Sequence, residues 1–227
     1  MKIKMLSKDK KAGKISFEVN GSNPAFMNAV RRIIMAEVPT MAIEEVEFRK
    51  NGSILYDEIV AHRLGLIPLK TDLKSYELPQ KPEDLQNPKC SLKLSLKVKS
   101  EGIVTSGQIE SEDKKVVPVF DGIPIVQLLK GQQIEFEATA ILGKGKDHVK
   151  WSPGIAWYRY DIDEDNVEKP SGKEDPSEKG TSPNPDQQDF VFFVESFGQL
   201  SPSQMVDEAL DIFEHKLDEF GQRLKDA

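Results

Sequence analysis

The sequence predicts an α+β fold in which two distant segments close into one domain, an antiparallel sheet with helices, around a β-rich insert. Three observations predict it. Strand-like alternation and helix-like periodicity occur at both ends of the chain, over 1–48 and 190–227. The stretch between them, 49–163, is written mostly in period-two patterns. From 168 to 189 there is no aliphatic or aromatic side chain at all. The outer domain is therefore expected at 1–48 plus 190–227, the insert at 49–163 and a linker at 164–189.

Residues 2–19 read as a β-hairpin. Ile3 and Met5 alternate with lysines, and Ile15, Phe17 and Val19 alternate with polar residues after a turn ending at Gly13. Lys8, Lys10, Lys11 and Lys14 suit a solvated hairpin tip or a phosphate contact. Asn23 and Pro24 are placed as N-cap and first helical residue. Phe26, Val30, Ile33 and Ile34 then form an apolar stripe reaching towards Glu37. Pro39 ends that helix by disfavouring helical geometry at Val38.

A strand is predicted over 42–48 and a tight hairpin turn at Asn51-Gly52. Asp57 is placed as the cap of a short helix carrying Ile59, Val60 and Leu64, with Gly65 at its left-handed C-terminal position. Residues 66–69 read as an apolar strand in which Pro68 demands an edge or an end. Such an edge needs a cover, and a partner would supply one. After a Pro-rich loop over 70–90, Ser91–Val98 alternates leucine and valine with lysine and serine, and 133–142 repeats the pattern. Residues 125–129 offer at most a short helical turn, and 157–162 an aromatic strand.

The linker carries the charge. Residues 161–189 hold ten acidic side chains and three lysines, an excess of seven that equals the net charge of −7. With no apolar group to bury and prolines at 170, 176, 183 and 185, the segment is expected to be disordered. At 190–196 the strand FVFFVES is apolar on both faces and is expected in the middle of a sheet. Ser201, Pro202 and Gln204 have the N-cap, N1 and N3 residues of a capping box. Val206, Leu210, Phe213, Leu217, Phe220 and Leu224 follow at alternating spacings of four and three, a seam of period about 3.5. Met205, Ala209 and Ile212 widen its first half. The seam fits packing within the chain or a helix shared with another chain; its narrow second half favours the latter.

Composition removes several classes of function. One cysteine, Cys90, excludes an internal disulfide framework and a site of several thiolates. His62, His148 and His215 stand on separate elements, out of metal-ligand spacing. GKGKDH at 143–148 lacks the P-loop spacing and reads as a basic turn between strands. No nucleophile, base and orienting group can be assembled, so no catalytic residue is assigned. An acidic balance argues against a generic DNA binder. No apolar run reaches membrane-span length, and MKIKMLSKDKK lacks the apolar centre of a signal peptide, so the cytoplasm is the expected compartment. Arg31 and Arg32, about 100° apart on their helix, join His62 and Arg63 as candidate contact residues or surface ion pairs.

Three stretches carry a family resemblance: NAVRRIIMAEVPTMAIEEVEF (28–48) with DEIVAHRLGLIPL (57–69), LGKGKDHVKWSPG (142–154) and VESFGQLSPSQMVDEALDIFEHKLDEF (194–220). Together they resemble the alpha-like assembly subunit of multisubunit RNA polymerases, in its archaeal, D-type form. That form is related to the bacterial alpha amino-terminal domain and to the third-largest eukaryotic subunit. The resemblance implies that 1–48 plus 190–227 is a dimerisation domain pairing with a small L-type subunit through the seam. It implies docking of the second-largest subunit through Arg31, Arg32, His62, Arg63, Leu64 and Leu66. It further implies association with small zinc-bearing subunits, contact with DNA only through the complex, and a 143–148 loop that faces other subunits. Some relatives carry an iron–sulfur cluster before the final strand; here that position is cysteine-free, and no cofactor or metal is expected.

Overall fold

The computed structural model describes residues 1–160 and 189–226, so the disorder expected for the linker falls outside the described residues. β1 (Lys2–Asp9) and β2 (Lys14–Asn20) form the N-terminal hairpin, turning at Gly13 with φ 64°. α1 (Pro24–Ala36) follows, capped by Asn23, whose side chain accepts the amide of Phe26. β3 (Pro39–Asn51) and α2 (Asp57–Gly65) lead into the insert. Its further strands are β4 (Ser91–Val98), β5 (Gly102–Thr105), β6 (Glu110–Ser111), β7 (Pro124–Leu128) and β8 (Ile134–Lys144). β9 (Gly154–Tyr160), β10 (Phe190–Ser196) and α3 (Pro202–Lys225) complete the chain.

One four-stranded antiparallel sheet has the order β1-β2-β10-β9. Its inner face buries Phe17, Val19, Phe190, Phe192 and Val194 beneath α1 and the first half of α3. Met27, Val30, Ile33 and Ile34 are the buried face of α1; Met205 and Ala209 are that of α3. The capping box at Ser201 and Gln204 forms as the sequence predicts. β10 lies in the interior of the sheet, as its two apolar faces require.

The second sheet, β3-β8-β4-β6, and the β5-β7 pair enclose the larger core, with Phe136, Leu94, Leu96, Val60, Leu64, Ile67 and Leu69 inside it. The expected boundaries fall differently here. β3 pairs with β8 along its whole length and so belongs to the insert's sheet, whereas β9 pairs with β10 in the outer sheet. Alternation identifies a strand's faces but not its neighbour.

Five local expectations are corrected. Asn51-Gly52 is a strand end rather than a hairpin turn: the Gly52 amide bonds Gln133 O, and the Asn51 side chain fastens the 53–57 loop through Leu55 O and Asp57. The N-cap of α2 is Tyr56, and Gly65 closes the helix without a positive φ. Residues 66–69 form no strand of a sheet; Val119 and Lys70 amides bond Pro68 O and Val117 O, so the chain itself covers Ile67 and Leu69 and leaves Leu66 exposed. Residues 125–129 fall largely in strand β7, where Ile125 and Val126 are good strand formers, pairing with β5 sets the conformation, and Ile125, Val126 and Leu128 are buried.

Candidate functional site

α3 leaves the body of the protein half-way along. Phe213 meets Phe26 of α1 edge to face at 5.7 Å, and Val206 and Ile212 lie partly against the first core. Beyond that point the seam is bare: Leu217 is 54% exposed, Phe220 61% and Leu224 63%, and Leu210, one turn before it, is already 40% exposed. Leu210, Leu217 and Leu224 recur every seven residues in one row, with Phe213 and Phe220 in the adjoining row, as in one half of a coiled-coil interface. Removing such a side chain from water is worth about 1.5–3 kcal/mol. Ile3 and Met5 of β1, opposite buried Val19 and Phe17, also stay uncovered on the inner face of the sheet.

A second surface is built around α2. Val60 and Leu64 point into the core, while Ile59, Arg63 and Leu66 form an exposed row at spacings of four and three. The loop fastened by Asn51 presents Ile54 and Tyr56, 86% and 80% exposed. Large apolar side chains held bare on a tethered loop are the anchors that protein interfaces favour. Arg63 donates to Pro124 O at 2.7 Å, which sets its guanidinium against β7. His62 is exposed.

Among the sequence-predicted contact residues, Leu64 is fully buried and cannot touch a partner. Arg31 donates to Asn28 on its own helix at 2.9 and 3.1 Å, and Arg32 is exposed with no ion pair among the described residues. α1 packs on α3 and β9, and α2 on β3 and β7. The two arginines and the His62–Arg63 pair therefore lie on different sheets of the molecule. Ile54, Tyr56 and Ile59, exposed on this surface, were not among the residues the sequence singled out. Apolar residues in the short stretch before α2 were the only trace of the first two, and the sequence grouped Ile59 with Val60 and Leu64 on one short helix without separating their faces.

The 143–148 loop is a joint between the two sheets. A Cβ on Gly143 would collide with the Trp151 ring, and one on Gly145 with Met35 O. Lys146 N donates to Ala36 O at 2.9 Å, and Thr40 Oγ1 to Trp151 O at 2.7 Å. Lys150 reaches Ile43 O and Glu44, and its ammonium sits 4.4 Å from the Trp151 ring. Residues 146–149 are the exposed part of this stretch, and the rest packs inward.

Among the described residues, no three His, Cys, Asp or Glu side chains gather as metal ligands, and no helix is long and apolar enough to cross a membrane. Cys90 is buried, and burial together with Asp84 and Glu77 pushes its thiol up, which disfavours the thiolate. Glu208, in the first half of α3, also has its carboxyl raised by burial and by Asp211.

Residues 44–154 match the family model described as the RNA polymerase Rpb3/RpoA insert domain. The "DNA-directed RNA polymerase subunit Rpo3" of Pyrobaculum aerophilum is 38% identical over 235 residues, covering 91% of this chain and 90% of that protein. The chain belongs to the Rpo3 family. Proteins of the same name from Pyrococcus horikoshii and Methanosphaera stadtmanae are 49% identical over 160 residues and 40% over 178. Those matches cover 70% and 74% of this chain but 60% and 65% of the relatives' lengths. The insert-domain match begins inside β3, within the second sheet, and stops at the first residue of β9, where the chain returns to the first sheet.

Proposed function

We propose that the chain is a non-catalytic assembly platform of a DNA-directed RNA polymerase. In this reading the α3 seam and the bare inner face of β1 pair with a small L-type subunit. The α2 surface, with Ile54, Tyr56, Ile59, His62, Arg63 and Leu66, and separately the α1 surface bearing Arg31 and Arg32, dock the second-largest subunit. Small zinc-bearing subunits complete the platform, and DNA is met only through the complex. The compartment is the cytoplasm, and no iron–sulfur cluster or metal belongs to this subunit.

The observation that carries the reading is the row Leu210, Leu217, Phe220 and Leu224, apolar, helical and uncovered. Soluble single chains rarely leave contiguous apolar patches of this kind bare. Names of relatives in the Rpo3 family supply the assembly to which such a surface belongs. The test is affinity purification of the tagged chain from its own cells, with mass spectrometry of the accompanying proteins. Recovery of one small subunit with both large polymerase subunits is expected. A monodisperse chain recovered alone would overturn the reading.

A further inference from the structure

Glu37 occupies the position on α1 that least suits an acid. It is the C-cap residue, at the negative end of the helix dipole, where a carboxylate is repelled. Three cations from two other elements surround it. Lys216 of α3 donates to Oε1 at 2.8 Å, and the ammonium groups of Lys144 and Lys146 each lie 3.6 Å from Oε2. Only 16% of the Glu37 side chain remains exposed, so this network is better shielded than a surface ion pair.

The backbone brings the two lysines of the 143–148 loop there by a fit already described: Gly145 lies against Met35 O, and Lys146 N bonds Ala36 O. Lys216 has a different significance. Among the described residues it is the last in α3 to make an ion pair or side-chain hydrogen bond to another element, immediately before the bare stretch beginning at Leu217. One carboxylate thus holds together α1, the end of the insert's sheet and the root of the free half of α3.

We propose that Glu37 is a positioning residue that locks the insert and the outer half of α3 to α1, so that the two docking surfaces are presented at one fixed angle. The purpose of that lock rests on the assembly reading; its existence does not. Removing the charge at Glu37 loosens both attachments. Removing Lys216 loosens only α3, and removing Lys144 with Lys146 loosens only the insert. A residue that merely added stability would show no such selectivity.

The experiment uses the full chain in a Cys90→Ala background, with spin labels placed pairwise at exposed Lys4, Ser100 and Gln222 and distances read by double electron–electron resonance. These report the first sheet, the insert and α3. The parent is expected to give three narrow distributions. Glu37→Gln, which keeps the side chain's shape, should lose the narrow form of all pairs. Lys216→Gln should broaden only the pairs that include Gln222, and the double change Lys144→Gln with Lys146→Gln only those that include Ser100. Distributions for Glu37→Gln that superimpose on the parent's would overturn the proposal. If Glu37→Gln does not fold by circular dichroism, the lysine variants decide: selective broadening supports the lock, and none in either refutes it. Failure of the parent to bind any polymerase chain would remove the assembly reading and leave the distance result standing.

Discussion

Ile59 and Val60 are adjacent on α2 and have opposite fates. Val60 and Leu64 are fully buried, while Ile59 is half exposed beside Arg63. Leu64→Ala should cost about 2–5 kcal/mol of stability through a core cavity, read as a lowered denaturant midpoint. Ile59→Ser should change stability by no more than about 0.5 kcal/mol, yet weaken capture of the large subunit in a pull-down. Unaltered capture would remove Ile59 from the docking surface. Asp72 offers a pH test in the insert. Its carboxyl is drawn from its ordinary 3.8 to about 2 by the Lys115 ammonium, the Lys74 amide and the Ser75 hydroxyl. Because the folded value is the lower one, this contribution is complete above about 4 and is lost as pH falls through about 2. Nuclear magnetic resonance titration of the carboxyl carbon should give that midpoint, and Lys115→Ala should move it upward. At this scale the sequence identifies types and spacings, but one helical step decides whether an isoleucine is core or contact, and only packing sets that step.

At the level of elements, α1 and α3 were legible because caps and stripes are local: Asn23 and Ser201 both cap as their spacing requires. The same reasoning failed for β7, a strand too short to show periodicity, and for 66–69, whose hydrogen bonds go to 117–119. The partners of both lie about 20–50 residues away, and no local pattern reports them. For α3 the expected result is specific. Leu217→Asp with Phe220→Asp alters two exposed positions, so the melting temperature should hold while the heterodimer is lost on size-exclusion chromatography. A surviving complex would mean that the seam serves something else. Removing the box at Ser201 by Ser201→Ala should cost about 0.5–2 kcal/mol, visible as earlier thermal loss of helix signal.

For the whole molecule, the discontinuous domain was readable in outline and misjudged at its edges. Both chain ends do meet in one sheet, with β2 beside β10. What could not be read was that β3 leaves that domain and β9 returns to it, since pairing of strands is a property of the fold rather than of the strand. Removal of 168–186 is expected to leave melting temperature and complex formation unchanged, because those residues have no apolar side chain with which to hold a core. A drop in either would assign the segment a contact of its own.

β1 carries a further consequence. Among the described residues it is the outermost strand of its sheet, exposed along its whole length, and shows Ile3 and Met5 to solvent beside a row of backbone amides and carbonyls that no described strand pairs. That edge is a template to which a further strand can add, the β1 of a second copy included, so an isolated chain is prone to associate edge to edge as its concentration rises.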